Sequence, residues 1–70
     1  MKLTFTIELD RETDGRWIAE VLDLPGVLAY GKTRKAALAG AEALALRVLA
    51  DRLEHGEAPP QQFSVSFKAA

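Results

Sequence analysis

The residues Gly26-Val27-Leu28-Ala29-Tyr30-Gly31-Lys32-Thr33 fit the pattern G-x-x-x-x-G-K-[ST]. In that pattern backbone amides wrap phosphate at a helix N-terminus, the lysine meets the outer phosphates and the hydroxyl binds magnesium. The chemistry would be nucleotide binding. The context argues against it. Val27 to Tyr30 are bulky and apolar, reading as a strand where a loop must curl around phosphate. No apolar strand ending in a metal-binding aspartate follows. No cofactor is expected.

Carboxylates offer a second chemistry. Glu8, Asp10, Asp14, Glu20 and Asp23 fall on or beside the first predicted hairpin, and a cluster of acids can hold magnesium for phosphodiester cleavage. A minimal metal-dependent nuclease using these hairpin carboxylates is therefore an alternative reading. Against it, Glu8 and Asp10 occupy the polar side of an alternating strand, where charged residues belong in any case. His55, the single histidine, stands near a helix C-terminus and suits a cap. Ser64 and Ser66 have no base beside them. Trp17 and Tyr30 could stack on bases, but without a basic stripe they read as core and rim. No catalytic, cofactor-binding or metal-binding residue is assigned, and the chain is not expected to be an enzyme.

The elements that carry these residues follow from pattern and composition. Seventy residues make one domain, residues 1–70. A chain of this size buries only about 60% of its unfolded surface. With no cysteine, disulfides and thiolate metal sites are absent, which leaves association with other copies as the remaining support. The net charge of −1 gives no broad attraction for nucleic acid. No apolar run approaches the roughly 20 residues that span a bilayer, and no secretory leader pattern opens the chain. A cytoplasmic protein is expected.

Leu3, Phe5, Ile7 and Leu9 alternate with Thr4, Thr6, Glu8 and Asp10, as in a half-buried strand. Asp14-Gly15 is a hairpin connection. The return strand is expected at residues 16–23, with Trp17, Ala19 and Val21 on one face. Ile18, Glu20 and Leu22 share the other, so Ile18 and Leu22 are expected to be partly covered. Pro25-Gly26 interrupts the ladder, and residues 27–30 suffice for a short third strand. Thr33 is a helix N-cap. Residues 34–55 are rich in alanine and leucine without proline, hence helical. Gly56 stops the helix, and Pro59-Pro60 prevents a restart.

On the helix, Ala37, Ala41, Leu44, Ala45 and Val48 form one stripe, with Leu38 and Leu49 at its edge. Leu46, Ala50 and Leu53 continue beyond it, leaving a polar sector of Gly40, Arg47, Asp51 and Glu54. The helix should span roughly 33 Å against about 25 Å for the longest strand, so its end should overhang the sheet. Residues 63–67 read as the last strand, with Ala69 and Ala70 frayed. A helix between two strands of one sheet implies a right-handed crossover, which places the last strand beside the first and parallel to it. The fold class is α+β, in the order β-β-β-α-β, with one mostly antiparallel sheet and a helix on one face. Leu46, Leu49, Leu53, Phe63, Val65 and Phe67 are the candidates for a contact between copies, in a homodimer or a dimer of dimers.

The run Leu22-Asp23-Leu24-Pro25-Gly26, then Tyr30-Gly31-Lys32-Thr33, then Ala37-Leu38 and Ala41, resembles the HicB-like antitoxin family. Asp23, Leu24, Pro25, Gly26, Gly31, Thr33, Ala37, Leu38, Ala41 and Pro59 fall on the positions of that signature. Lys32, Arg34 and Lys35 stand where acidic residues are usual, and Val27 where cysteine is often found. The resemblance implies a truncated ribonuclease H-like fold lacking that enzyme's catalytic acids. It also implies a homo-oligomer and neutralisation of a small HicA-type toxin that cleaves messenger RNA, or descent from such a protein. Complete antitoxins of this kind carry a C-terminal DNA-binding domain. This chain stops at Ala70, so no direct DNA binding is expected of it.

Overall fold

The computed structural model describes residues 2–57 and 64–70. The positions expected for Pro59, Pro60 and Phe63 lie outside these described residues. Four strands and one helix follow in the order β1 (Lys2–Arg11), β2 (Trp17–Val21), β3 (Leu28–Gly31), α1 (Arg34–Glu54) and β4 (Ser64–Ala69). The sheet order is β3-β2-β1-β4. β1 pairs antiparallel with β2, and β2 antiparallel with β3. β4 runs parallel to β1, with Phe5 beside Phe67 and Ile7 beside Ala69. This is the α+β arrangement that the crossover argument requires.

The ends of β1 and β2 are closed by local bonds. Gly15 takes φ of 93°, and the Glu12 amide donates to the Arg16 carbonyl at 2.7 Å. The return strand is shorter than expected because the chain leaves the ladder at Leu22, well before Pro25. Leu24 turns inward and is buried with Val27. The amides of Leu24 and Val27 donate to the carbonyls of Val21 and Leu24, at 3.1 Å each, and the Val21 amide reaches Val27 at 2.9 Å. Gly26, at φ of 82°, completes this compact turn, a backbone region that side chains disfavour.

The helix begins as its cap residue dictates. The Thr33 hydroxyl accepts from the Ala36 amide at 3.1 Å, and no acidic residue stands in the first turn. At the other end the His55 amide donates to the Asp51 carbonyl at 3.0 Å, and the His55 ring lies 2.8 Å from the same oxygen. Gly56 follows at φ of 70°.

The helix lies across β3 and β2 and only grazes β1. Small residues make this close seat possible: Ala37, Ala41 and Ala45 are buried. Gly40 joins them, since a Cβ there would come within 3.0 Å of the Ala29 Cβ. Gly40 was expected in the polar sector. It faces β3 instead, where a side chain would require Ala29 to give way by a few tenths of an ångström. The core comprises Phe5, Ile7, Ala19, Val21, Leu24 and Val27 with the three helix alanines. Among the described residues only Ile7 and Val21 are both large and wholly enclosed.

Ala69 and Ala70, expected to fray, are held by the sheet. Ala69 pairs with Ile7, and the Ala70 amide donates to the Ile7 carbonyl at 2.8 Å. A ten-residue β1 supplies ladder enough for the extra residues. The chain is elongated, 42 × 20 × 17 Å, with a radius of gyration of 13.0 Å. A compact domain of this length would give about 11 Å. Among the described residues no helix is long and apolar enough to cross a membrane.

Candidate functional site

The residues matching the phosphate-loop pattern form a strand and a helix cap. Leu28 to Gly31 pair with Glu20 to Trp17 of β2. Gly31 is required for packing: a Cβ on it would sit 2.4 Å from the Ala37 amide nitrogen and 2.9 Å from the Ala36 carbonyl carbon. The first helical turn presses onto the strand at this point. Thr33 spends its hydroxyl on the helix cap, and Lys32 is exposed. The glycine, lysine and threonine thus have separate positions in a strand-to-helix corner.

Each residue of the Asp23-Leu24-Pro25-Gly26 run has a local task apart from exposed Pro25. The Asp23 carboxylate accepts the Thr6 amide at 2.7 Å, next to the bond from the Leu22 amide to the Thr6 carbonyl at 2.9 Å. The side chain thereby replaces a strand partner where β2 has turned away. Sequence reasoning missed this bond. Aspartate two residues before proline is the usual signal of a side chain that bonds nearby backbone, and it was read only as a hairpin carboxylate and as part of a motif. Leu24 fills the core, Ala37 and Ala41 lie under the sheet, and Leu38 packs beside them.

The hairpin acids divide between two tasks. Asp14 belongs to the turn: it accepts from the Arg16 amide at 3.0 Å and pairs with the Arg16 guanidinium at 2.7 Å. The backbone bond from Arg16, then the guanidinium, hold its carboxyl below the ordinary aspartate range. Glu8, Asp10 and Glu20 point from the sheet face opposite the helix. Glu8 and Glu20 are direct cross-strand partners, and Asp10 faces Ile18. With Arg11, Glu12 and Ile18 they line a shallow open depression of about 310 Å³. Among the described residues, no three of histidine, cysteine, aspartate and glutamate are grouped as metal ligands. His55 meets Asp51 Oδ1 at 3.1 Å on the exposed helix end.

Among the described residues two apolar areas stay uncovered. On the open sheet face, Ile18 is half-buried, and Leu22, Leu28 and Tyr30 are 48%, 36% and 48% exposed. The cover expected over Leu22 is not supplied by the described residues. Tyr30 carries the Arg16 guanidinium 4.5 Å from its ring centre. Leu28 was not singled out, and Tyr30, read with Trp17 as core and rim, was not placed on an uncovered face, because their strand is so short. Their alternation with Val27 and Ala29 was the available signal.

The second area is the end of the helix, where Leu46 and Leu53 are 48% and 38% exposed. Leu49, Val65 and Phe67 pack partly against the chain's own core, and Phe67 meets Phe5 at 5.8 Å between ring centres. Phe63 lies outside the described residues. Of the five interface candidates among the described residues, Leu46 and Leu53 are the exposed ones. No protein-family model, curated protein or solved structure matches this chain.

Proposed function

We propose that this chain is a cytoplasmic protein-binding module of the HicB-like antitoxin kind, or an orphan relative of one, acting without turnover. Its partner in this reading is a small HicA-type toxin that cleaves messenger RNA. The observation that supports it is the use made of the motif. Asp23, Leu24, Gly26, Gly31 and Thr33 each hold a corner of the β-β-β-α-β fold that the resemblance implies. The motif's residues are thus spent on architecture, and what remains for function is surface.

The module works as a homodimer or dimer of dimers. An accessible surface of 4926 Å² exceeds the roughly 4,300 Å² of a compact monomer of this mass. The overhanging helix end with Leu46 and Leu53 is where a second copy adds burial. Function is tested by co-expression. Bacteria arrested by HicA-type toxins should resume growth when this chain is induced with one of them, and its Gly31→Val variant should not rescue. Absence of rescue across a broad panel, with both proteins soluble, removes the reading.

A further inference from the structure

The open face of the sheet carries a charge pattern that works against the fold beneath it. Glu8 and Glu20 are direct partners across β1 and β2, and like charges so placed destabilise an antiparallel pair. Among the described residues neither makes an ion pair, nor does Asp10. Beside this acidic column, towards the β3 edge, Ile18, Leu22, Leu28 and Tyr30 surround Glu20 with apolar surface. A local arrangement that lowers stability without compensation marks a surface kept for a contact.

We propose that this face docks a cationic amphipathic helix of a partner protein. The apolar stripe of that helix lies on Ile18, Leu22 and Leu28, beside the Tyr30 ring that Arg16 covers, and its flanking lysines or arginines lie over Glu8, Asp10 and Glu20. The proposal rests on the reading of the chain as a protein-binding module, and not on the toxin class. A helix suits the site because a sheet with one bare face is closed by a further layer. A second copy of this chain does not suit it. A two-fold contact centred on this patch would gather Glu8, Asp10 and Glu20 of both copies into one interface. The exposed helix end brings Asp51 and Glu54 along with Arg47 and Arg52, so it offers no excess of positive charge.

The test uses the full chain, isotope-labelled, at physiological salt. It is titrated with a lysine–leucine peptide whose helix segregates the two residue types, and with a scrambled peptide of identical composition. Amide shifts should be confined to β1, β2 and β3, with the segregated peptide binding about tenfold tighter or better than the scrambled one. Glu8→Gln combined with Glu20→Gln should weaken binding about tenfold while raising the melting temperature. Ile18→Thr should weaken it as well, with the oligomeric mass unchanged.

Equal affinity for the two peptides, or shifts centred on the helix, overturns the proposal. So does a lowered melting temperature with binding intact in the glutamine variant, or loss of self-association in Ile18→Thr, which would give the face to a second copy. Rescue from toxins is read separately. If rescue succeeds and the peptide fails, this docking alone falls; if the peptide binds and rescue fails, only the toxin falls.

Discussion

Gly31 illustrates how one residue can satisfy a chemical pattern for a mechanical reason. Its missing side chain leaves room for the first helical turn at 2.4 Å from the position a Cβ would take. Backbone cannot yield as a flexible side chain can, so Gly31→Ala should destabilise by about 1–3 kcal/mol or more in a denaturant titration. Lys32→Ala should fold with unchanged stability, and neither it nor the parent should bind ATP or GTP with magnesium in calorimetry. Micromolar nucleotide affinity that disappears in Lys32→Ala would restore the phosphate-loop reading. Asp14 gives a second residue-scale outcome. Its carboxyl is held low by the Arg16 backbone bond and guanidinium, so its contribution is complete above the unfolded value and is lost as pH falls through the lower folded one. Melting temperatures followed below about pH 4 should fall less steeply for Asp14→Asn than for the parent.

Among the elements, the helix shows most clearly what the sequence discloses and what it conceals. Thr33 and Gly56 mark its ends because capping is local chemistry, and the alanine stripe marks its buried face because burial repeats every turn. Thr33→Ala should cost about 1 kcal/mol by chemical denaturation. Lys35→Glu, which places an acid near the helix N-terminus, should stabilise by a few tenths of a kcal/mol. An unchanged midpoint for Thr33→Ala would mean that the hydroxyl is not the cap. Gly40 was misread because glycine carries no hydropathy signal; only the approach of Ala29, distant in sequence, shows which way it faces. Likewise β2 ends early because Leu24 finds a place in the core. The strands themselves were legible from alternation. The open face was half legible: Glu8, Asp10, Ile18 and Leu22 were placed on outward positions, but the opposition of Glu8 and Glu20 depends on register.

At the scale of the whole molecule, the elongated shape and alanine-rich core are the grounds for the proposed self-association. Leu53 is 38% exposed near the C-terminal end of the helix, and burying such a leucine between copies stabilises by roughly 1.5–3 kcal/mol. Against total stabilities of about 5–15 kcal/mol, two per subunit are substantial. Leu53→Glu should therefore lower the mass measured by light scattering and the melting temperature together, whereas Lys35→Glu should leave the mass unchanged. Asp51 is unsuitable as the neutral comparison, since it meets His55 at the helix cap. A parent protein with the mass of a single chain at micromolar concentration would remove the dimer from the account.

That a surface, rather than a catalytic centre, carries the activity is tested most directly by titrating the purified chain into HicA-type toxins cleaving a messenger RNA in the presence of magnesium. The expected result is that, with one of these toxins, cleavage falls to zero at a fixed stoichiometric ratio while the chain alone leaves the RNA intact. Undiminished cleavage at excess chain for every toxin tried would contradict the account, as would magnesium-dependent cleavage by the chain alone that is lost in Glu8→Ala.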